Sequence, residues 1–257
     1  MKPYLGAWHF TMTKVGLFVP CYIDQFYPQV AIATLQLLEK LGVTVVFPES
    51  QTCCGQPMAN SGFEHLAQPC NDLFIENFQD VDYIVSPSGS CVLHIKDHLH
   101  AEGPAEAQAQ KIRTRVMELT EFLTDVMHVT TLPARFRHKV GLHQSCHGQR
   151  GLKLSQMSEL VAAPFSKSEQ LLNMVDGLTL IPLDRRDECC GFGGTFCVNE
   201  EAVSVKMGKD RVADHTRHDA EYITGSDMSC LMHLEGILRR QNSPIKVRHI
   251  AEILNAG

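Results

Sequence analysis

The chain lacks an apolar run long enough to cross a membrane: its longest, Val15 to Pro20 and Val43 to Pro48, are strand-sized, far below the roughly 20 residues a spanning helix needs. It has no excess of positive charge, with 23 Lys and Arg against 29 Asp and Glu and a formal net charge of -6. That balance argues against a nucleic-acid binder that works by neutralising phosphates. Near the N-terminus Pro3, Gly6, His9 and Lys14 interrupt the stretch where a secretory signal would need unbroken apolar residues, so a cytoplasmic location is expected. There is no Cys-x2-Cys-x2-Cys run of the ferredoxin kind and no pair of compact Cys-x2-4-Cys knuckles such as zinc favours. No Ser-His-Asp set or paired carboxylates stand out. Gly191, Gly193 and Gly194 lack the Lys of a phosphate loop, and with no flavin or nicotinamide fingerprint the chain is not expected to take hydride itself.

What is present begins with folding capacity. Hydrophobic residues make up 44% and charged residues 20% of 257, enough to bury a core in one large domain or two small ones. Ten cysteines stand at positions 21, 53, 54, 70, 91, 146, 189, 190, 197 and 230. In a reducing compartment they do not read as a disulfide scaffold, which leaves metal or redox chemistry.

The second half repeats the first in five ordered blocks. Val15-Gly16-Leu17 leading to Cys21 matches Val140-Gly141-Leu142 leading to Cys146, and Cys53-Cys54-Gly55 matches Cys189-Cys190-Gly191. Asp82-Tyr83-Ile84 leading to Ser90-Cys91 and His94 matches Glu221-Tyr222-Ile223 leading to Ser229-Cys230 and His233. Val116 to Leu123 matches Val247 to Leu254, and the amphipathic stretch Val30 to Leu41 is set against the longer, more polar Leu152 to Val175. The expected organisation is an N-terminal extension over 1–13, a first cysteine-rich unit over 14–131 and a second over 132–257.

Run length and period predict the elements. Val15 to Val19, Val43 to Phe47 and Tyr83 to Val85 are short, β-branched and apolar, hence strands. Val30, Thr34, Leu37, Leu38 and Leu41 recur at helical spacing and stop at Gly42, and a further helix starts near Cys91. Alternating strands and helices imply an α/β fold: two similar units related by a pseudo-twofold axis, each with a mostly parallel sheet. Ligands collect at the carboxyl ends of such strands, where every repeated cysteine falls.

An isolated buried thiol is usually a small hydrophobe, but recurrence at matched positions makes Cys21, Cys53, Cys54, Cys91, Cys146, Cys189, Cys190 and Cys230 candidate metal ligands. Adjacent cysteines in a regular strand face opposite ways. Both can face one centre only where the backbone turns sharply, which Gly55 and Gly191 permit while letting amides approach sulfide. Neighbouring thiolates suit the several irons of an iron–sulfur cluster better than one zinc ion. His94 and His233, one helical turn beyond the third cysteine, are either packing residues or donors to cluster sulfur. Cys70 and Cys197 have no counterparts and read as core or loop thiols, and His94, His98 and His100, with no zincin Glu, as a solvated helix face. Two other readings stay open: a thiol–disulfide enzyme using the vicinal cysteines, disfavoured by the strain of a vicinal disulfide, and a zinc-stabilised scaffold.

The doubled pattern Cys, Cys-Cys-Gly, Cys resembles the cysteine-rich (CCG) domain family of iron–sulfur oxidoreductases. Its members include the cysteine-rich subunit of heterodisulfide reductase, the iron–sulfur subunit of glycolate oxidase and a subunit of anaerobic glycerol-3-phosphate dehydrogenase. Length, the absence of a ferredoxin module, and the segments Cys-Cys-Gly-Gln-Pro-Met and Ser-Cys-Leu-Met-His-Leu-Glu-Gly point to its lactate-utilisation branch. The likeness runs from about Lys14 onward. It implies one or two 4Fe-4S type clusters and electron transfer in oxidation of a 2-hydroxy acid, L-lactate to pyruvate, beside a ferredoxin-like iron–sulfur subunit and a third subunit. The family pattern often ends Cys-x2-Cys, whereas here Ser88 and Asp227 stand three residues before Cys91 and Cys230. Each site then keeps four thiols, enough for a cubane, and lacks a fifth.

Overall fold

The computed structural model describes residues 13–257, so the expected extension lies, apart from Thr13, outside the described residues. Two parallel four-stranded sheets form the frame. The first contains β1 (Lys14–Leu17), β2 (Thr44–Val46), β3 (Tyr83–Ser86) and β4 (Val116–Glu118) in the order β2-β1-β3-β4. The second contains β5 (Lys139–Leu142), β6 (Thr179–Leu180), β7 (Tyr222–Thr224) and β8 (Lys246–Val247) in the order β6-β5-β7-β8. Register repeats as well: Val15 lies opposite Val45 and Tyr83, and Val140 opposite Leu180 and Tyr222. The expected α/β architecture of two pseudo-twofold units is therefore observed. Each has a fourth strand that run length did not single out, because charged neighbours break any apolar run there: Arg115 and Glu118 around Val116-Met117, Lys246 and Arg248 around Val247.

In the first half the helices are α1 (Cys21–Phe26), α2 (Pro28–Lys40), α3 (Gln56–Asn60), α4 (Gln68–Phe78), α5 (Gly89–His98), α6 (Glu106–Arg115) and α7 (Leu119–Glu121). In the second they are α8 (Lys167–Leu172), α9 (Phe196–Asn199), α10 (Glu201–Arg217), α11 (Met228–Arg240) and α12 (Ile250–Leu254). The predicted helix over Val30 to Leu41 is α2, which starts slightly earlier with Pro28 at a position whose N–H would be free anyway. It buries Val30, Ala33, Thr34, Leu37 and Leu38. The stretch matched to it, Leu152 to Val175, differs. Its α-helix is confined to Lys167–Leu172, capped by Ser166, whose hydroxyl accepts from the Glu169 amide. Pro164 disfavours helical backbone at the residue before it, and Ser155 and Ser166 pair as an isolated bridge instead.

The sheets are tied by a common core. Val15, Leu37, Leu38, Leu119 and Phe122 pack in one cluster with Val140, Leu171, Leu172, Ile250, Ile253 and Leu254. A second cluster surrounds Phe18, Cys54 and Cys91, and a third Cys190 and Cys230. The third also takes Leu17, Val19, Ile23 and Val30 from the first half. In the order 2-1-3-4 the chain leaves β1 to one side and later returns on the other, so the crevice at the carboxyl ends of β1 and β3 is a topological switch point. Cys21 follows β1 and Cys91 follows β3; Cys146 and Cys230 follow β5 and β7.

Candidate metal centres

At the first switch point the Sγ atoms of Cys21, opening α1, and Cys53 stand 3.6 Å apart. Cys54, buried, reaches both Cys53 and Cys91 through its thiol. The second switch point repeats this: Cys146 and Cys189 are 3.6 Å apart, and Cys190 reaches Cys189 and Cys230. A disulfide would bring the sulfurs to about 2.05 Å, and all ten cysteines are free thiols. All eight repeated cysteines are thus gathered into two sets of four.

The turn that lets vicinal cysteines share a site is made by Gly55 at φ 90° and Gly191 at φ 88°, a left-handed backbone costly for any residue with a Cβ. Space excludes a side chain too. A Cβ would meet the Ala67 Cβ at 2.9 Å in the first site and the Ser204 carbonyl oxygen at 2.6 Å in the second. The turn aims amides at sulfur: Gly55 N donates to Cys53 Sγ and Gly191 N to Cys189 Sγ, both at 3.4 Å, and Phe192 N donates to Cys190 Sγ at 3.4 Å. Hydrogen bonds from Cys21, Cys54 and the Gly55 amide pull the Cys53 thiol down to about 3. The same set from Cys146, Cys190 and Gly191 pulls Cys189 down to about 2. The donating partners keep their protons, so the thiols of Cys21, Cys54, Cys146 and Cys190 are pushed up, with burial adding to the effect. A thiolate flanked by thiols and amides, half-buried and all sulfur, is the donor set that soft metal ions and iron–sulfur clusters take.

The remaining candidates separate. His94, buried, has Nε2 3.7 Å from where a Cβ on Gly55 would sit and stacks on His98 at 4.8 Å, while His98 Nδ1 meets Glu64 at 2.7 Å. Burial and the neighbouring His98 hold the His94 ring down at about 4. His98 and His100 are exposed as a solvated face requires, but His94, one turn before His98 on the same side of α5, is buried. His233 directs Nε2 to the Ser204 carbonyl at 3.3 Å. Among the described residues neither His94 nor His233 hydrogen-bonds a cysteine sulfur. Cys70 lies in α4 and Cys197 in α9, where its thiol donates to the Gly194 carbonyl at 3.1 Å; neither joins a set.

Ser88 and Asp227 turn out to be each other's partners. They pair as a bridge across the pseudo-twofold axis, both buried, with Ser88 Oγ donating to Asp227 Oδ1 at 3.2 Å. Ser90 Oγ and Ser90 N donate to the same carboxylate at 2.8 and 3.1 Å, and the Tyr22 hydroxyl lies 3.2 Å from Ser88 Oγ. Where a fifth cysteine would stand in each copy, this chain has a polar clasp joining the halves.

Sequence reasoning missed a second feature. Beside Cys190 and Cys230 lies buried His143, with two further buried polar side chains, Arg211 and His215, close to it. Arg211 donates to the Leu142 carbonyl at 3.3 Å and faces buried Asp214 at 3.4 Å. Burial, then the Arg211 charge, hold the His143 ring down at about 3 and lower His215 too. The signal was available within the repeat, since Phe18 follows Val15-Gly16-Leu17 where His143 follows Val140-Gly141-Leu142.

A family model described as the cysteine-rich domain matches residues 15–96 and 140–235, one copy on each sheet. The chain is thus a protein of paired cysteine-rich domains. Lactate utilization protein A of an Exiguobacterium species is 44% identical over 251 residues, spanning 96% of this chain and 98% of that protein. Those of Geobacillus kaustophilus and Bacillus subtilis are 42% and 41% identical over 246 residues, each spanning 95% of this chain and 99% of the relative. At that identity and coverage the chain belongs to the lactate utilization protein A family of cysteine-rich domain proteins. Among solved structures, glutamate racemase RacE1 of Bacillus anthracis aligns over 96% of this chain and 80% of its own at 10% identity and a TM-score of 0.35, too low to carry any inference. No helix of the described residues is long and apolar enough to cross a membrane.

Proposed function

We propose that the chain is an iron–sulfur electron-transfer subunit of a multi-subunit system that oxidises a 2-hydroxy acid, L-lactate to pyruvate. The observation that carries this is the convergence of four thiols at each of two switch points, where in each set one sulfur accepts from a glycine-turn amide. Cys21, Cys53, Cys54 and Cys91 would hold one cluster of the 4Fe-4S type, and Cys146, Cys189, Cys190 and Cys230 a second. Such a cluster, when bound, accepts and passes on single electrons. Gly55 and Gly191 keep the approach of amides to sulfur open, and the burial of Cys54, Cys91, Cys190 and Cys230 keeps water from one side of each site. The two units run over 14–131 and 132–257.

The substrate class comes from the relatives named for lactate utilization. Lactate loses two electrons and two protons in becoming pyruvate, and the role assigned to this chain is to carry the electrons beside a ferredoxin-like iron–sulfur subunit and a third subunit. Ten free cysteines suit the reducing cytoplasm. The experiment is anaerobic purification followed by iron, zinc and acid-labile sulfide analysis, then lactate oxidation with the partner subunits present and absent. Iron and sulfide in near-equal amounts and partner-dependent turnover support the reading. Zinc without sulfide favours a scaffold, and a metal-free protein with dithiol reactivity favours thiol–disulfide exchange.

A further inference from the structure

The two sites differ in one donor. A nitrogen of His143 and the Sγ atoms of Cys190 and Cys230 all lie within 4.8 Å of one another, and all three residues are buried. Neither ring nitrogen of His143 has a hydrogen-bond partner among the described residues. A buried imidazole with both nitrogens unused is costly and calls for a partner. In the first half the matching position is Phe18, which packs with Cys54 and Cys91 and has no donor atom.

We propose that His143 is a fifth ligand of the metal centre in the second unit, joining Cys146, Cys189, Cys190 and Cys230, and that the first unit has four ligands only. This rests on the cluster reading above. The fold supports it at each step. Strand alternation puts Gly141 and His143 on one face, as it does Gly16 and Phe18. Against that face α10 lays His215, whose Nδ1 a Cβ on Gly141 would strike, and α4 lays Phe78, 2.6 Å from the Gly16 equivalent. One turn back on the same helices stand Arg211 and Phe74. Behind the second site, then, stand nitrogen-bearing side chains packed against His143, and at the first the rings of Phe18, Phe74 and Phe78, with centroids 4.7 to 6.0 Å apart. The family's usual fifth donor is not available to either site here, because Asp227 is held by Ser88 and Ser90. His143 comes to the second site off the end of β5, while Asp227 follows β7. Imidazole replaces thiolate at iron in known cluster types, so the chemistry is admissible.

The test uses the full chain carrying Cys54→Ser, which removes a ligand of the first site, reconstituted anaerobically with iron and sulfide and labelled with 15N-histidine. Iron and sulfide are counted first; pulsed electron paramagnetic resonance of the reduced protein then reads nitrogen coupling. The expected result is the strong coupling of a directly bound imidazole, lost in C54S/H143F while iron per chain stays unchanged. His143→Phe installs the residue of the other half, and the labelled C54S protein decides the question even where that double variant fails to fold. Iron-loaded C54S protein with no strong nitrogen coupling, or coupling that persists in C54S/H143F, overturns the proposal. Wild-type protein that retains no iron and sulfide overturns the cluster reading, and this inference with it.

Discussion

The two halves of this chain share strand order, register, four cysteines and the glycine turn, and differ in what surrounds them. At three matched places the first half has Phe18, Phe74 and Phe78 and the second has His143, Arg211 and His215. A duplicated frame thus preserves what the backbone must do, namely bring strand ends and a left-handed turn to one point. The lining is under no such constraint, because an aromatic cluster and a buried ion pair can fill similar volumes. The helix Glu201–Arg217, six residues longer than its counterpart Gln68–Phe78, carries this polar lining.

The comparison breaks most visibly at the proposed ligands. Cys54→Ser and Cys190→Ser should each remove roughly half of the bound iron, the share of one unit in two, because a hydroxyl is a poor replacement for a soft thiolate. Lactate oxidation with partners should fall in both. Should both variants leave iron content and turnover unchanged, the cysteine sets are not the electron path. The next largest effect lies in the lining. Arg211→Met takes the buried guanidinium from Asp214, which keeps Arg217 at 3.4 Å and the amides of Asp184 and Arg185, and should cost about 2 kcal/mol in chemical denaturation, whereas Phe74→Leu, at the matched place, should cost about 1 kcal/mol. Equal losses would mean that the ion pair is not what holds the second lining together.

Gly191→Ala should destabilise more than Gly55→Ala. Both force a side chain into the left-handed region at about 1–2 kcal/mol, but the first also drives a Cβ into a backbone carbonyl while the second meets only a methyl group. Denaturant midpoints measured on the two variants check the order.

The smallest effect is a difference in pH response. Glu118 and His249 occupy matched helix N-caps, each in a capping box with Glu121 or Glu252. Burial raises the Glu118 carboxyl to about 8 and lowers the His249 ring to about 4. Between the ordinary carboxyl value and 8 the folded state holds a proton the unfolded state has lost, so Glu118 makes stability fall as pH rises. Between the ordinary imidazole value and 4 the unfolded state holds the extra proton, so His249 makes stability fall as pH drops. Each slope is at most about 1.4 kcal/mol per pH unit. Glu118→Gln should flatten the alkaline side of the stability profile and His249→Gln the acid side; thermal denaturation from pH 4 to 8 reads both.

Much of this was legible in the chain for physical reasons. The strands around Val15 and Ile84 lie inside the first sheet and are buried along most of their length, and so read as continuous apolar runs. The helix over Val30 to Leu41 shows its buried stripe at helical spacing. Helix Lys167–Leu172 was not legible at its true length, because Pro164 and the polar residues before it follow no single period. His94 and His98 share one side of their helix and stack, and spacing alone could not tell that the packing around α5 covers the first and leaves the second exposed.

The sequence by itself determined the duplication, the α/β class and the eight cysteines that belong together, since these depend on periodicity and order along the chain. Only the tertiary structure decided that Ser88 and Asp227, 139 positions apart, meet across the pseudo-twofold axis, and that His143 stands beside Cys190 and Cys230 while Arg211 lies buried against Asp214. The first two are contacts between side chains from distant strands and helices, and the third is a pair whose burial the surrounding elements impose. Their energies depend on distance and burial, which the packing of the two sheets sets and which no local pattern encodes.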